Sequence, residues 1–412
     1  MAEAAELSKF PKEIMVEVLS RLPPKSLMRF KCVCKSWQCS ISNSNFAAKH
    51  LSASKRNEHP SSTTIVLKRC DGDDIHAGKK EVLLSFFDLC QRLDGDNNDH
   101  ELRPILEDLY SPLSPGVVDW QRFCVSISAH CDGILCLTDG VEYIVLCNPA
   151  IKEFKCLPVP SPKLNSCGGG FGYDLKSKDY KIVRILDNGN EEYKDGMRQR
   201  VVNHPPAAQI YNLLTSSWKE IKIIDNLITK TTIYWPQSHS IYRNGILYWC
   251  GREGFRQENY IITDYSEHEE DDVSELKDCV ISFDIGNDAF QVILAPDDCN
   301  LSDCGFGLWN ESIAFCTRRP WSPHPSTEEI REIWVMDDLG GGEGCWTKYL
   351  TFEPVVTDIY RQLGVFWYNE QLVTVFRSKR GVIFQEVFTK FKHLPLNTGV
   401  MDYGQAFQLR GV

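Results

Sequence analysis

The sequence predicts two unlike parts: a small N-terminal unit of three to four helices at residues 1–51, and a large all-β domain at residues 63–412, built as a β-propeller of about six blades. Three observations predict it. Apolar residues at helical spacing are confined to the N-terminal segment. Beyond it, short runs rich in β-branched and aromatic residues take over. Two hairpin phrases then recur along that second region. Between the parts, residues 52–62 (SASKRNEHPSS) are polar and read as a linker.

In the N-terminal unit, Ser8 is placed to cap a helix beginning at Lys9 or Phe10, with Pro11 in its first turn, where the missing N–H costs nothing. Ile14, Val18, Leu19 and Leu22 recur at helical spacing and form one apolar stripe, while Glu13 and Glu17 fall on other faces. Pro23 and Pro24 end the helix, because neither supplies an amide hydrogen. A second short helix carries Leu27 and Phe30, a third carries Val33, Cys34 and Trp37, and a fourth starts after Ser44 and ends near Leu51. So short a segment cannot bury all these side chains on itself. At about 1.5–3 kcal/mol for each side chain fully buried, the surplus favours docking on a partner.

The β domain shows itself in runs such as TTIVLK, VLLSFF, ILCL, YIVLC, YKIVRIL, ILYWC, VISFDI and LVTVF. One phrase joins an apolar pair, an Asn or Asp, a turn and an aromatic. It appears as VLCNPAIKEFKCL (Val145–Leu157), QIYNLLTSSWKEI (Gln209–Ile221), ISFDIGNDAFQVI (Ile281–Ile293) and IWVMDDLGGGEGCWTKYL (Ile333–Leu350). A second phrase alternates with it: CDGILCL at Cys131, RNGILYW at Arg243, WNESIAFC at Trp309 and YNEQLVTVF at Tyr368. Two hairpins every ~55–70 residues describe four-stranded blades. A double sandwich is the alternative. The glycine-rich stretch Gly168–Gly172 reads as a turn between strands, since no helix follows to form a phosphate-binding site.

Composition excludes several functions. No run of about eighteen apolar residues is present to span a membrane. The start MAEAAELSK lacks a basic, apolar leader, so a cytoplasmic, possible nuclear, location is expected. The seventeen cysteines are odd in number and lie in apolar runs, which argues for small buried hydrophobes rather than a disulfide framework. The pairs Cys131/Cys136 and Cys299/Cys304 have no partner pair at zinc spacing, so no metal is expected. Neither a phosphate loop, a nucleophile elbow nor a zinc-protease motif occurs, and no cofactor or catalytic residue is assigned. The net charge of −11 argues against nucleic acid as a direct partner. Much of that charge sits in Asp264–Asp278, where Asp264, Glu267, Glu269, Glu270, Asp271 and Asp272 are candidates for attracting a basic protein.

The N-terminal segment resembles the F-box. The carrying residues are Phe10-Pro11, Val18-Leu19-Ser20-Arg21-Leu22-Pro23, Lys25-Ser26-Leu27-Met28-Arg29-Phe30 and Lys31-Cys32-Val33-Cys34-Lys35-Ser36-Trp37. Phe10 stands where the family usually has leucine. The resemblance implies docking onto a Skp-type adaptor within a complex with a cullin and a RING subunit, with Pro11, Ile14, Val18, Leu19, Leu22, Pro23, Leu27, Phe30 and Trp37 as contact candidates. GFGYDLKSKDYKIVRI, SWKEIKI, VISFDIGNDAFQVI and EIWVMDD resemble the plant F-box-associated domain, and the whole chain is similar to the S-locus F-box family. That likeness implies a non-catalytic receptor subunit of an SCF ubiquitin ligase whose β domain captures a target, an S-RNase in pollen self-incompatibility. The alternatives are a receptor with another target or a scaffold without ligase activity. The chain departs from the family in two stretches expected to be loops, Asp94–Leu113 and Arg252–Asp278.

Overall fold

The computed structural model describes residues 11–57, 64–71, 81–91, 100–110, 126–138, 143–158, 166–186, 189–194, 197–202, 207–222, 231–233, 239–253, 261–263, 277–296, 299, 301, 304–309, 311–318, 330–337, 345–352, 359–368, 371–378, 381–386, 391–393 and 406–409. Four helices lead: α1 (Lys12–Leu19), α2 (Pro24–Phe30), α3 (Lys35–Ile41) and α4 (Ser44–Asn57). Pro11 itself is the N-cap of α1, with no side-chain cap, and Ser8 lies outside the described residues. Pro24 occupies the first position of α2, where its fixed φ suits the helix and its missing N–H would be unpaired anyway. α3 begins later than its sequence suggests, because Cys34 is extended (φ −159°) and leaves Val33 in the preceding turn. The start of α4 is capped by Asn43, whose Oδ1 accepts the Asn45 amide at 2.8 Å. α4 runs on to Asn57, so half of the stretch read as linker continues the helix.

Among the described residues, the strands that follow group into six four-stranded blades, the fourth with one added strand, and a separate three-stranded sheet. Blade 2 is Ser126–Cys131, Ile134–Thr138, Ile144–Asn148 and Glu153–Cys156, from the centre outward. Blade 3 is Ser166–Asp174, Asp179–Leu186, Ala207–Asn212 and Ser217–Lys222. Blade 4 is Ile241–Arg243, Ile246–Glu253, Lys277–Asp284 and Ala289–Leu294, with Thr231–Ile233 added on the far end of its second strand. Blades 5 and 6 form one eight-stranded sheet that divides at a parallel pairing, Leu308 opposite Phe366. Blade 1 is completed from both ends of the chain. Its outer three strands are Thr64–Asp71, Glu81–Gln91 and His100–Tyr110, and its innermost is the C-terminal Ala406–Leu409, paired from Thr64 opposite Leu409 to Leu67 opposite Ala406. Residues 100–110 are thus the outer strand of blade 1, not loop.

The ring explains the apolar runs. In blade 2, Leu135, Leu137, Val145 and Cys147 pack on Val66, Leu84, Phe86 and Leu109 of blade 1. The alternate residues Cys136, Ile144 and Leu146 pack on Phe171, Ile182 and Tyr211 of blade 3. Both faces of each such strand are buried, so period-two alternation becomes a continuous hydrophobic run. Burial pushes the Cys136 and Cys147 thiols up to about 11 and about 12, so both stay protonated and act as hydrophobes.

Each hairpin phrase has a physical role. The Asn or Asp at the strand end folds the turn back with its carboxyl or amide oxygen: Ala150 N–H donates to Asn148 Oδ1 (3.1 Å), Lys176 N–H to Asp174 Oδ1 (2.8 Å) and Gly286 N–H to Asp284 Oδ1 (2.8 Å). The two-residue turns Asp132-Gly133 and Asn244-Gly245 have positive φ at both positions, the mirror-image turn that matches strand twist. The outer-strand tryptophans link neighbouring blades, Trp218 Nε1 donating to Pro158 O (2.7 Å) and Trp346 Nε1 to Leu294 O (2.8 Å).

The stretch Gly168–Gly172 lies inside the innermost strand of blade 3, not in a turn. A Cβ on Gly170 would come within 2.7 Å of both Leu247 Cδ1 and Trp249 Cζ2 of blade 4. These glycines exist for close approach between blades.

Antiparallel alternation puts the first-to-second and third-to-fourth turns of blades 2–6 on one face, and the second-to-third connections and those between blades on the other. Connections on the first face are short. On the second, the connections after Leu186 and after Glu253 each contribute strands to a separate three-stranded sheet, Gly189–Lys194, Met197–Val202 and Ile261–Thr263. Residues 252–278 therefore hold strand as well as connection. Thr64 pairs with the final residue of the innermost strand, so the chain enters the propeller on the short-turn face.

Candidate docking surfaces

The helical unit has a closed interior and a separate exposed apolar surface. Leu19, Leu27, Ile41 and Phe46 form the interior, with Met15, Val16, Leu22, Phe30 and Trp37 packed against it. Phe30 and Trp37 meet edge to face, ring centres 5.4 Å apart. His50 Nε2 donates to Leu22 O at 2.9 Å and ties α4 to the end of α1. Outside this interior, Ile14 and Val18 stand one helical turn apart and are 53% and 56% exposed. Glu17 beside them holds Arg21 and Lys49, each at 2.6 Å, and these hydrogen bonds, that of Lys49 foremost, lower its pKa.

The nine contact candidates therefore divide. Pro11, Ile14, Val18 and Pro23 are exposed; Leu22, Phe30 and Trp37 are half-buried. Leu19 (2% exposed) and Leu27 (6%) are interior residues that hold the surface in shape. The single stripe read from spacing is in fact two faces of α1, one inward and one outward. Val33, which its spacing places in the third helix, sits exposed (56%) in the turn before α3. Only the extended geometry at Cys34 reveals it.

Asp264, Glu267, Glu269, Glu270, Asp271 and Asp272 lie outside the described residues. They follow directly on Ile261–Thr263, the strand of the accessory sheet. Among the described residues, no group of three or more His, Cys, Asp or Glu side chains is placed to hold a metal. No described helix is long and apolar enough to cross a membrane. The structure brings together a cysteine pair that spacing did not indicate, Cys250 and Cys304, with sulfurs 3.7 Å apart.

A closed helical core with an apolar outer face, followed by a propeller, is matched by known families at both ends. Residues 7–49 match the F-box domain, and residues 101–399 match the F-box associated beta propeller domain. The chain belongs to the F-box proteins with an F-box-associated β-propeller. An Arabidopsis thaliana F-box/kelch-repeat protein is 24% identical over 398 residues, 95% of this chain and 91% of that protein. An A. thaliana F-box protein is 28% identical over 269 residues, 64% of this chain and 60% of that protein. An A. thaliana F-box/WD-40 repeat-containing protein is 24% identical over 223 residues, 54% of this chain and 45% of that protein. The F-box implies a Skp-type adaptor as partner, the propeller implies a target protein, and the pairing fits a non-catalytic role.

Proposed function

We propose that this F-box protein is the substrate-recognition subunit of an SCF ubiquitin ligase, docking a Skp-type adaptor and its cullin–RING assembly through α1 and the turns that follow, and a target protein through the propeller. The observation that carries the reading is the outward pair Ile14 and Val18 on a helical unit whose interior is already filled by Leu19, Leu27, Ile41 and Phe46. A stripe left over after the core is closed has no structural task in the helical unit itself. Rate enhancement in this arrangement is proximity: the receptor holds a target lysine near ubiquitin carried by a recruited enzyme. The topology supports a division of labour between faces. The chain enters the propeller on the short-turn face at Thr64, and the long-connection face, with its accessory sheet, is the one assigned to the target.

The finer reading, an S-RNase as target, rests on the likeness of the whole chain to the S-locus F-box family and on the acidic run Asp264–Asp272 within a net charge of −11. The test is capture from pollen-tube extract mixed with style extract by tagged full-length protein, followed by mass spectrometry. Adaptor, cullin and S-RNase together support the full reading. Adaptor and cullin with an unrelated target keep the receptor and discard the S-RNase. Absence of adaptor and cullin overturns the proposal.

A further inference from the structure

We propose that Cys250 and Cys304 form a reversible disulfide that staples blade 4 to blade 5. Their sulfurs are 3.7 Å apart, although the residues are 54 positions apart in sequence. Cys250 lies on the second strand of blade 4 (Ile246–Glu253), and Cys304 stands immediately before the first strand of blade 5 (Gly305–Trp309). Both are buried, at 4% and 2% exposed, in one apolar cluster with Tyr248, Val280, Phe306 and Ile313. A disulfide is about 2.0 Å long, so the sulfurs must close by about 1.7 Å. Closing that gap takes side-chain rotation with a small shift between the two packed blades.

The oxidant is a peroxide. One thiol loses its proton and its sulfur attacks a peroxide oxygen, breaking the O–O bond and forming a sulfenic acid with release of water. The second sulfur then attacks the first, the S–O bond breaks and a second water leaves. Two thiols and one hydrogen peroxide give one disulfide and two waters. Oxidation is slow because so little of either sulfur reaches solvent, and a small peroxide acts faster than glutathione disulfide. The bond fastens the long-connection face: Cys250 is close to the strand end from which residues 254–276 depart, and Cys304 ends the connection between blades 4 and 5.

The test uses full-length protein treated with hydrogen peroxide, alkylated, and digested with trypsin plus a protease cutting before aspartate. Trypsin releases Cys250 in residues 244–252, cleavage before Asp303 separates Cys304 from Cys299 and Cys279, and fragment ions of the 303–318 peptide tell a link at Cys304 from one at Cys316. The expected result is a linked Cys250–Cys304 peptide, lighter than its parts by two hydrogens and split by dithiothreitol. The melting midpoint of treated wild type rises, and that of treated Cys304→Ser does not. Treated wild type in which both cysteines are recovered as alkylated thiols or as sulfinic and sulfonic acids, with no linked peptide, overturns the proposal. That result needs no variant to fold, and it does not depend on the ligase assignment.

Discussion

Val18→Asp separates docking from folding, because Val18 faces outward on α1 while its neighbour Leu19 faces the interior. Val18 is 56% exposed, so docking has about half of a valine left to bury, worth about 1 kcal/mol. A carboxylate pressed against an apolar partner surface without a hydrogen-bond partner costs at least about 2 kcal/mol more, since a charge is dearer to desolvate than a neutral polar group. The sum, at least about 3 kcal/mol, weakens adaptor affinity by roughly a hundredfold or more. Folding of the helical unit should be unchanged, since the substituted side chain stays in water in the free protein. Leu19→Ala is the control. Leu19 is 2% exposed, and truncating a buried leucine costs about 2–5 kcal/mol of stability. Adaptor affinity by calorimetry and helix melting by circular dichroism read the two effects apart. Val18→Asp with wild-type affinity and an unchanged melt would refute the assignment of the docking face.

Three further perturbations test the propeller. Burial of Asp174 alone would raise its pKa, but hydrogen bonds from Lys181, Ser177 and the Lys176 amide outweigh it and lower the carboxyl from 3.8 to about 2. A carboxyl depressed in the folded state stabilises above its unfolded pKa, and that contribution of about 2 kcal/mol disappears as pH falls through about 4 to about 2. Asp174→Asn should lower stability at neutral pH and flatten the melting profile across that acid window; an unaltered pH profile would count against the network. Gly170→Ala places a methyl 2.7 Å from Leu247 and Trp249, and an overpacked site of this kind costs about 1–3 kcal/mol in denaturant titration. Loss of less than about 0.5 kcal/mol would mean the blades are not so closely apposed. Truncation before Ala406 removes the innermost strand of blade 1 and leaves Thr64–Leu67 as an open edge, so the melt should fall and self-association appear in gel filtration while adaptor binding persists. A monomer with a wild-type melt would argue against this closure.

What was legible in the sequence was local. Asn148 and Asp284 announce their turns because the side chain that stops the strand also accepts the amide of the turn. The aromatic that follows marks an outer strand, although the hydrogen bonds of Trp218 and Trp346 to the neighbouring blade are not local. What stayed hidden depends on neighbours distant in the chain. Gly170 is required by Leu247 and Trp249, and Ala406–Leu409 is too short to read as a strand until Thr64–Leu67 offers it a partner. In the docking unit, spacing found Ile14, Val18, Leu19 and Leu22 together. It missed that Leu19 faces in and Val18 out, since adjacent helical positions differ by about 100° and both are apolar. Cys250 and Cys304 likewise meet only through the packing of blade 4 on blade 5.

The most direct measurement is ubiquitin transfer to whatever the propeller captures. Full-length protein, loaded from extract with its target and with adaptor, cullin and RING subunit, is supplied with activating and conjugating enzymes, ubiquitin and ATP, and the captured target is examined by mass spectrometry. Ubiquitin conjugates on the target with wild type, and their loss with Val18→Asp while the target stays bound, is the predicted result. A target held firmly by a complex that contains the cullin, yet never conjugated, would contradict the receptor account.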